Sequence, residues 1–203
     1  MKIALIGASG NIGSKILAEA LARRHTITAI VRNPDKIVPV DGLTPVEGDV
    51  GDAAGLAALL VGHDAVISSL PFMGFDPDTL LAAIHQSGVR RYIAVGGAGS
   101  LYAAPNLRVV DSVKFPLEWK PEALRGADYL ARLQTERDLD WTFLSPSAEI
   151  SPGLRTGVFR IGNDDLLVAP DGTSRISQED FAVALLDELE NPAHIRARFT
   201  VGY

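Results

Sequence analysis

Residues 1–16, MKIALIGASGNIGSKI, decide how the rest of the chain is read. The apolar run Ile3 to Ile6 has the character of a buried parallel strand. It breaks into glycines at positions 7, 10 and 13, a G-x-x-G-x-x-G spacing, and the text then resumes as an amphipathic helix over Asn11 to Arg23. A first glycine permits the tight strand-to-helix turn, a second lets a pyrophosphate approach the backbone, and a third lets helix and strand pack closely. The helix N-terminus then turns its free N–H groups toward an anion. This makes Gly7, Ser9, Gly10, Asn11, Ile12 and Gly13 the candidate contacts of a dinucleotide. A glycine-rich turn with no ligand is the competing reading, and the text downstream weighs against it.

That text alternates. Apolar, β-branched runs (KIALIG, TITAIV, LTPVEG, AVISSL, YIAVGG, WTFLSP) are separated by helical spacing at Ala53 to Leu60, Asp78 to Ser87 and Pro121 to Asp138. Repeated βαβ units predict an α/β fold: a doubly wound, mostly parallel sheet of the Rossmann type. Only the connection from Arg32 to Leu43 is short and broken by proline. From about Ser145 the text becomes rich in Pro, Gly and Ser, with short strand candidates at Val158 to Ile161 and Leu166 to Val168. Ser177, followed by Glu179 and Asp180, caps a last helix, FAVALLDELE, and RARFTVGY closes as a strand. The expectation is one domain over 1–203, with about 146–203 forming a small appendage on the substrate side.

A length of 203 residues suits one such domain and is too short for a second large one. A formal charge of −6 gives no reason to expect nucleic acid or an anionic membrane as partner. The absence of cysteine excludes disulfides, thiolate metal sites and cysteine nucleophiles, and the four histidines show no metal-ligand spacing. With no cleavable signal pattern and no apolar run of membrane-spanning length, the expected location is the cytoplasm. Oligomeric state is left open.

Open α/β sheets bind ligands beyond the carboxyl ends of their strands, so the residues ending each strand are the next candidates. The second strand ends in Arg32 and Asn33, with Lys36 close behind. A guanidinium matches a phosphate fork, favouring NADPH over NADH; a solvated basic turn is the alternative. Asp49 and Val50 follow the third strand, in position for adenine. Ser68, Ser69 and Leu70 end the fourth, Gly96 and Gly97 the fifth, Ser145 and Pro146 the sixth. Ser100 and Tyr102, just after the fifth strand, carry hydroxyls that could orient a substrate carbonyl; with Lys120 they are the candidates for a catalytic role, which is otherwise unassigned. Phe115 and Trp119 could stack on a flat acceptor, and Lys114 and Lys120 could attract a flavin phosphate.

The segments GASGNIG, VRNPDK, EGDV, VGGAGSL, DWTFLSP and SRISQEDFAVALLDELE together resemble the atypical short-chain dehydrogenase/reductase family of NAD(P)H-binding proteins. Within it the match is to the group described as candidate NADH-flavin reductases, similar to biliverdin reductase B and to NmrA-like proteins, and it covers nearly the whole chain. The resemblance implies a Rossmann domain, a dinucleotide cofactor, and a flavin (FMN or FAD as substrate) or quinone as acceptor. One departure stands out. Standard members carry Tyr-x-x-x-Lys, in which lysine lowers the tyrosine pKa for proton exchange, whereas the positions four after Tyr92, Tyr102 and Tyr129 hold Gly96, Asn106 and Leu133. Hydride transfer to a flavin or quinone tolerates that loss, because the reduced ring can take its proton from water. The expected function is therefore NAD(P)H-dependent reduction of a planar acceptor. A non-catalytic redox sensor of the NmrA-like type, and a sugar-nucleotide epimerase or dehydratase with a relocated acid, are the alternatives.

Overall fold

A computed structural model describes residues 1–203. In chain order the elements are β1 (Lys2–Ile6), α1 (Asn11–Ala22), β2 (Thr26–Val31), β3 (Leu43–Glu47), α2 (Ala53–Leu60), β4 (Ala65–Ser68), α3 (Pro77–Ser87) and β5 (Arg91–Val95). They continue with β6 (Tyr102–Ala104), β7 (Leu107–Arg108), α4 (Lys120–Gln134), β8 (Asp140–Ser145), β9 (Glu149–Ser151), β10 (Arg160–Gly162), β11 (Arg175–Ser177), α5 (Gln178–Glu190) and β12 (Ala197–Gly202). Eight strands form one sheet in the order β3-β2-β1-β4-β5-β8-β12-β10. Every neighbouring pair is parallel except β10 with β12, which is antiparallel. The fold is the doubly wound Rossmann-like sheet that the alternation predicts.

Period-two alternation explains why the strands read as unbroken apolar runs. On β1, Ile3 and Leu5 face the layer of α1 and α5, while Ala4 and Ile6 face the layer of α2, α3 and α4. The two cores hold 24 and 20 buried residues, nearly equal, so neither face of the sheet is left to solvent. Strand order reverses between β1 and β4, which opens a crevice at the carboxyl ends of those strands.

The boundaries differ from the sequence reading in places where side chains interrupt the backbone pattern. Helix α4 ends at Gln134 instead of Asp138, because the Glu136 carboxylate accepts the Asp138 N–H (2.8 Å) and Thr135 donates its hydroxyl to the Arg132 carbonyl (2.7 Å). Leu166 to Val168 is no strand; the Leu166 N–H donates to the Tyr102 carbonyl (2.9 Å) beside a single bridge between Tyr102 and Asp165. The segment after Ser145 contributes β12 and β10 to the central sheet and α5 to the packing on α1. No helix is long and apolar enough to cross a membrane.

Candidate active site

The glycine loop shows which glycines the protein itself requires. Gly7 has φ +82° and donates to the Ile30 carbonyl (3.0 Å). A Cβ there would land on the Ser69 carbonyl, and one at Gly13 would land on the Gly7 carbonyl. Gly10 is different: the nearest atom to an added Cβ is the Gly7 oxygen at 3.3 Å, and the residue faces solvent. The space in front of Gly10 is thus free for a ligand rather than taken by packing.

Helix α1 starts at this loop with no side-chain cap and no acid in its first turn. By contrast Asp52, Asp76 and Ser177 cap α2, α3 and α5, and α4 carries Glu122 in its first turn. An uncapped N-terminus with exposed Ser9, Gly10 and Asn11 and half-buried Ile12 is chemically matched to a phosphate. At the end of β2, Arg32 is exposed and enters no ion pair. Asn33 is already employed, its Oδ1 accepting the Asp35 N–H (3.0 Å) to cap a short 3₁₀ turn. Asp49 similarly accepts the Gly51 N–H (2.8 Å), and Val50 packs on the core beside α2. The donor set fits a dinucleotide, with an exposed cation, Arg32, after β2.

The remaining candidates fall into two groups. Ser69, Leu70 and Gly97 border the crevice, Leu70 packing over Gly7 and Phe72 over Gly97. Gly96 is held from beneath, since a Cβ would meet the Phe143 ring. Ser68 turns inward: its hydroxyl is 2.5 Å from that of Tyr92, which in turn bonds Tyr129. Burial pushes the Tyr92 phenol up to about 12 and the Tyr129 phenol up as well, so both stay neutral at ordinary pH. Ser145 is buried with an unpartnered hydroxyl, next in register to Thr200, also unpartnered; Pro146 is buried beside it. Ser100 is buried too, accepting a bond from Arg198 Nη1 (3.2 Å), while Arg198 pairs with Asp164 (2.5 Å). Tyr102 is 38% exposed on β6, and Lys120 opens α4.

Beyond β5, residues between Ala98 and Trp119 line a pocket of about 330 Å³. Val109, Phe115, Pro116 and Trp119 form one side, and Ala103, Ala148 and Leu166 complete it. Its only polar side chains are Ser112 and Lys114. Two features had no signal in the text. The Glu122 carboxylate accepts the N–H groups of Phe72 (2.5 Å) and Met73 (3.0 Å), which fastens the loop after β4 to α4. The Phe72 ring fills the space left by Gly97 and Gly126.

An NAD(P)H-binding family model matches residues 7–192. The chain belongs to the NAD(P)H-binding family. A Bacillus subtilis (strain 168) relative, YwnB, is 40% identical across 99% of this chain and 98% of its own. Among solved structures, a candidate epimerase from Bacteroides thetaiotaomicron superposes with TM-score 0.95 at 42% identity, covering 100% of this chain and 96% of that one. A candidate NADH-flavin reductase from Streptococcus pneumoniae superposes with TM-score 0.85 at 34% identity, covering 100% and 99%. The family and the oxidoreductase-like fold expected from the sequence are thereby established.

Proposed function

We propose that the protein is an NADPH-dependent reductase of a planar acceptor, flavin or quinone. The observation that carries this reading is the pairing of an uncapped α1 N-terminus and an exposed, unpaired Arg32 with a small apolar pocket that begins at Ala98, next to Gly97, and has one cation at its wall. NADPH, when bound, supplies a hydride. The chain's own part is to hold the phosphates at the α1 N-terminus, to press the loop after β4 into place through Glu122, and to seat a flat ring against Phe115 and Trp119. Of the chemistries named for similar proteins, reduction fits this pocket better than epimerisation: the lining holds no carboxylate, and a sugar needs an array of hydrogen-bonding groups. The cytoplasm, where reduced dinucleotide is supplied, belongs to the same proposal. Loss of NADPH absorbance, on adding the protein with FMN and then with a simple naphthoquinone against protein-free blanks, tests it. Saturable consumption is expected. A protein that binds NADPH yet consumes none would overturn the reading in favour of a sensor.

A further inference from the structure

The pocket beyond β5 carries more information than its flatness. At about 330 Å³ it lies at the lower end of the range for small-molecule sites, roughly 300–1,000 Å³. It suits one or two fused rings. A flavin presents a polar pyrimidine edge and a polar ribityl chain, both of which need partners when desolvated. Of the two polar side chains available, Ser112 accepts the Lys114 N–H (3.3 Å) and keeps one O–H to donate, which with Lys114 is fewer partners than a flavin edge and ribityl chain need, and no carboxylate is present.

The same segment that lines the pocket also exposes apolar side chains among its charges. Val113, between lining residues Ser112 and Lys114, is fully exposed; Leu117, just after Pro116, is 79% exposed; and Trp119, itself a lining residue, is 63% exposed. Exposed apolar side chains thus accompany the pocket lining along this segment, with Trp119 common to both. Three side chains fall far short of the 20–30 residues per side of a stable protein interface. The balanced local charges, Lys114 and Lys120 against Asp111 and Glu118 in a chain of net −6, give no pull toward an anionic membrane. A short hydrocarbon chain attached to the ring is the occupant whose size and polarity match.

We propose that the acceptor is a quinone bearing an apolar tail, with the ring in the pocket and the tail along Trp119, Leu117 and Val113. This rests on the reductase reading and names its substrate class. Reduction takes one hydride from NADPH and one proton from water, leaving the quinol and NADP⁺.

The test compares a naphthoquinone carrying one prenyl unit with its tail-less parent. Binding to the protein without NADPH is followed by quenching of Trp119 fluorescence, Trp141 being buried, and turnover is followed with NADPH. Tighter binding of the prenylated compound by about tenfold is expected, with a parallel fall in KM, in line with partial burial of five carbons. In the double variant Val113→Ser, Leu117→Ser the ratio between the two quinones should fall toward one. If the tail brings no gain, or FMN is reduced with the higher kcat/KM, the tail assignment fails while the reductase reading stands. If no acceptor is reduced by protein that binds NADPH, the reductase reading fails and takes this inference with it.

Discussion

Single residues in the crevice divide into those the fold requires and those it leaves free, and substitution separates them. Gly13→Ala places a methyl group on the Gly7 carbonyl, so it should lower stability by ~1–3 kcal/mol in urea unfolding as well as weaken NADPH. Gly10→Ala meets one backbone oxygen at a tight 3.3 Å against the 2.1 Å overlap at Gly13, so its melting temperature should fall less than that of Gly13→Ala while the NADPH Kd rises at least tenfold. A parent-like Kd would show that no phosphate approaches there. Arg32→Ala should weaken NADPH tenfold or more, the worth of a charge-assisted bond of ~1.5–3 kcal/mol, and NADH by less than twofold. Equal losses, read by titration calorimetry, would show that the guanidinium contributes no selectivity for the 2′-phosphate. The steric demand at Gly7 and Gly13 was legible because backbone sterics are a property of residue type. The hydroxyls were not: Ser68 turns to Tyr92 and Ser100 to Arg198, and which way a serine turns depends on partners 24 and 98 positions away.

At the scale of elements, the strands and crossover helices were legible from periodicity and the irregular stretch between β9 and β10 from its Pro and Gly, but not where that stretch is anchored, because carboxylates on two helices hold it. Arg155 bonds both oxygens of Glu19 on α1 (2.7 and 2.8 Å). The Thr156 and Gly157 N–H groups donate to Asp180 at the start of α5 (2.8 Å each). The Arg155 guanidinium is the main reason that Glu19, 6% exposed, is held down at about 2 against its ordinary 4.5, with Arg23 reinforcing it against the cost of burial. Burial likewise opposes ionisation of Asp180, yet bonds from Thr156, Gly157 and Tyr203 keep it below its usual range. A depressed carboxylate stabilises the fold above its unfolded pKa, and that stability is lost as pH falls through the folded value. The Glu19 contribution, ~2–3 kcal/mol after allowance for the exposed Arg155, should be complete above pH 5 and more than half gone by pH 3. Glu19→Gln should therefore lose stability at pH 7 and show a flatter dependence between pH 5 and 3. A variant whose urea midpoint falls as steeply as the parent's over that window would refute the assignment.

Across the whole molecule the two ends of the parallel sheet are built for opposite tasks. At the carboxyl ends the protein leaves groups unpaired: the α1 N-terminus, Arg32 and the open face of Gly10. At the amino ends a buried cluster pairs nearly all its polar atoms, Arg91 Nε excepted. Glu188, its side chain 3% exposed, accepts from Arg91 (3.1 Å) and from the backbone and Nδ1 of His194 (3.0 and 2.8 Å), while Thr142 donates to the His194 carbonyl (2.8 Å) and the His194 ring stacks on Phe199 at 4.2 Å. Burial pushes the Arg91 guanidinium down and the Glu188 charge opposes that shift, so neither group is comfortable alone. The text gave no hint of this cluster, whose members come from four elements, and that closure also ties the C-terminal segment into the sheet, which supports treating 1–203 as one folding unit. Glu188→Gln strands a buried cation and should cost about 3 kcal/mol, a melting temperature lower by roughly 5–10 °C. The crevice lies at the far end of the strands, so the two effects should add. NADPH at a hundred times its Kd should raise the stability of parent and variant alike by ~2.7 kcal/mol. A smaller increment in Glu188→Gln, measured at matched saturation, would mean that the closed end also sets the geometry of the open one.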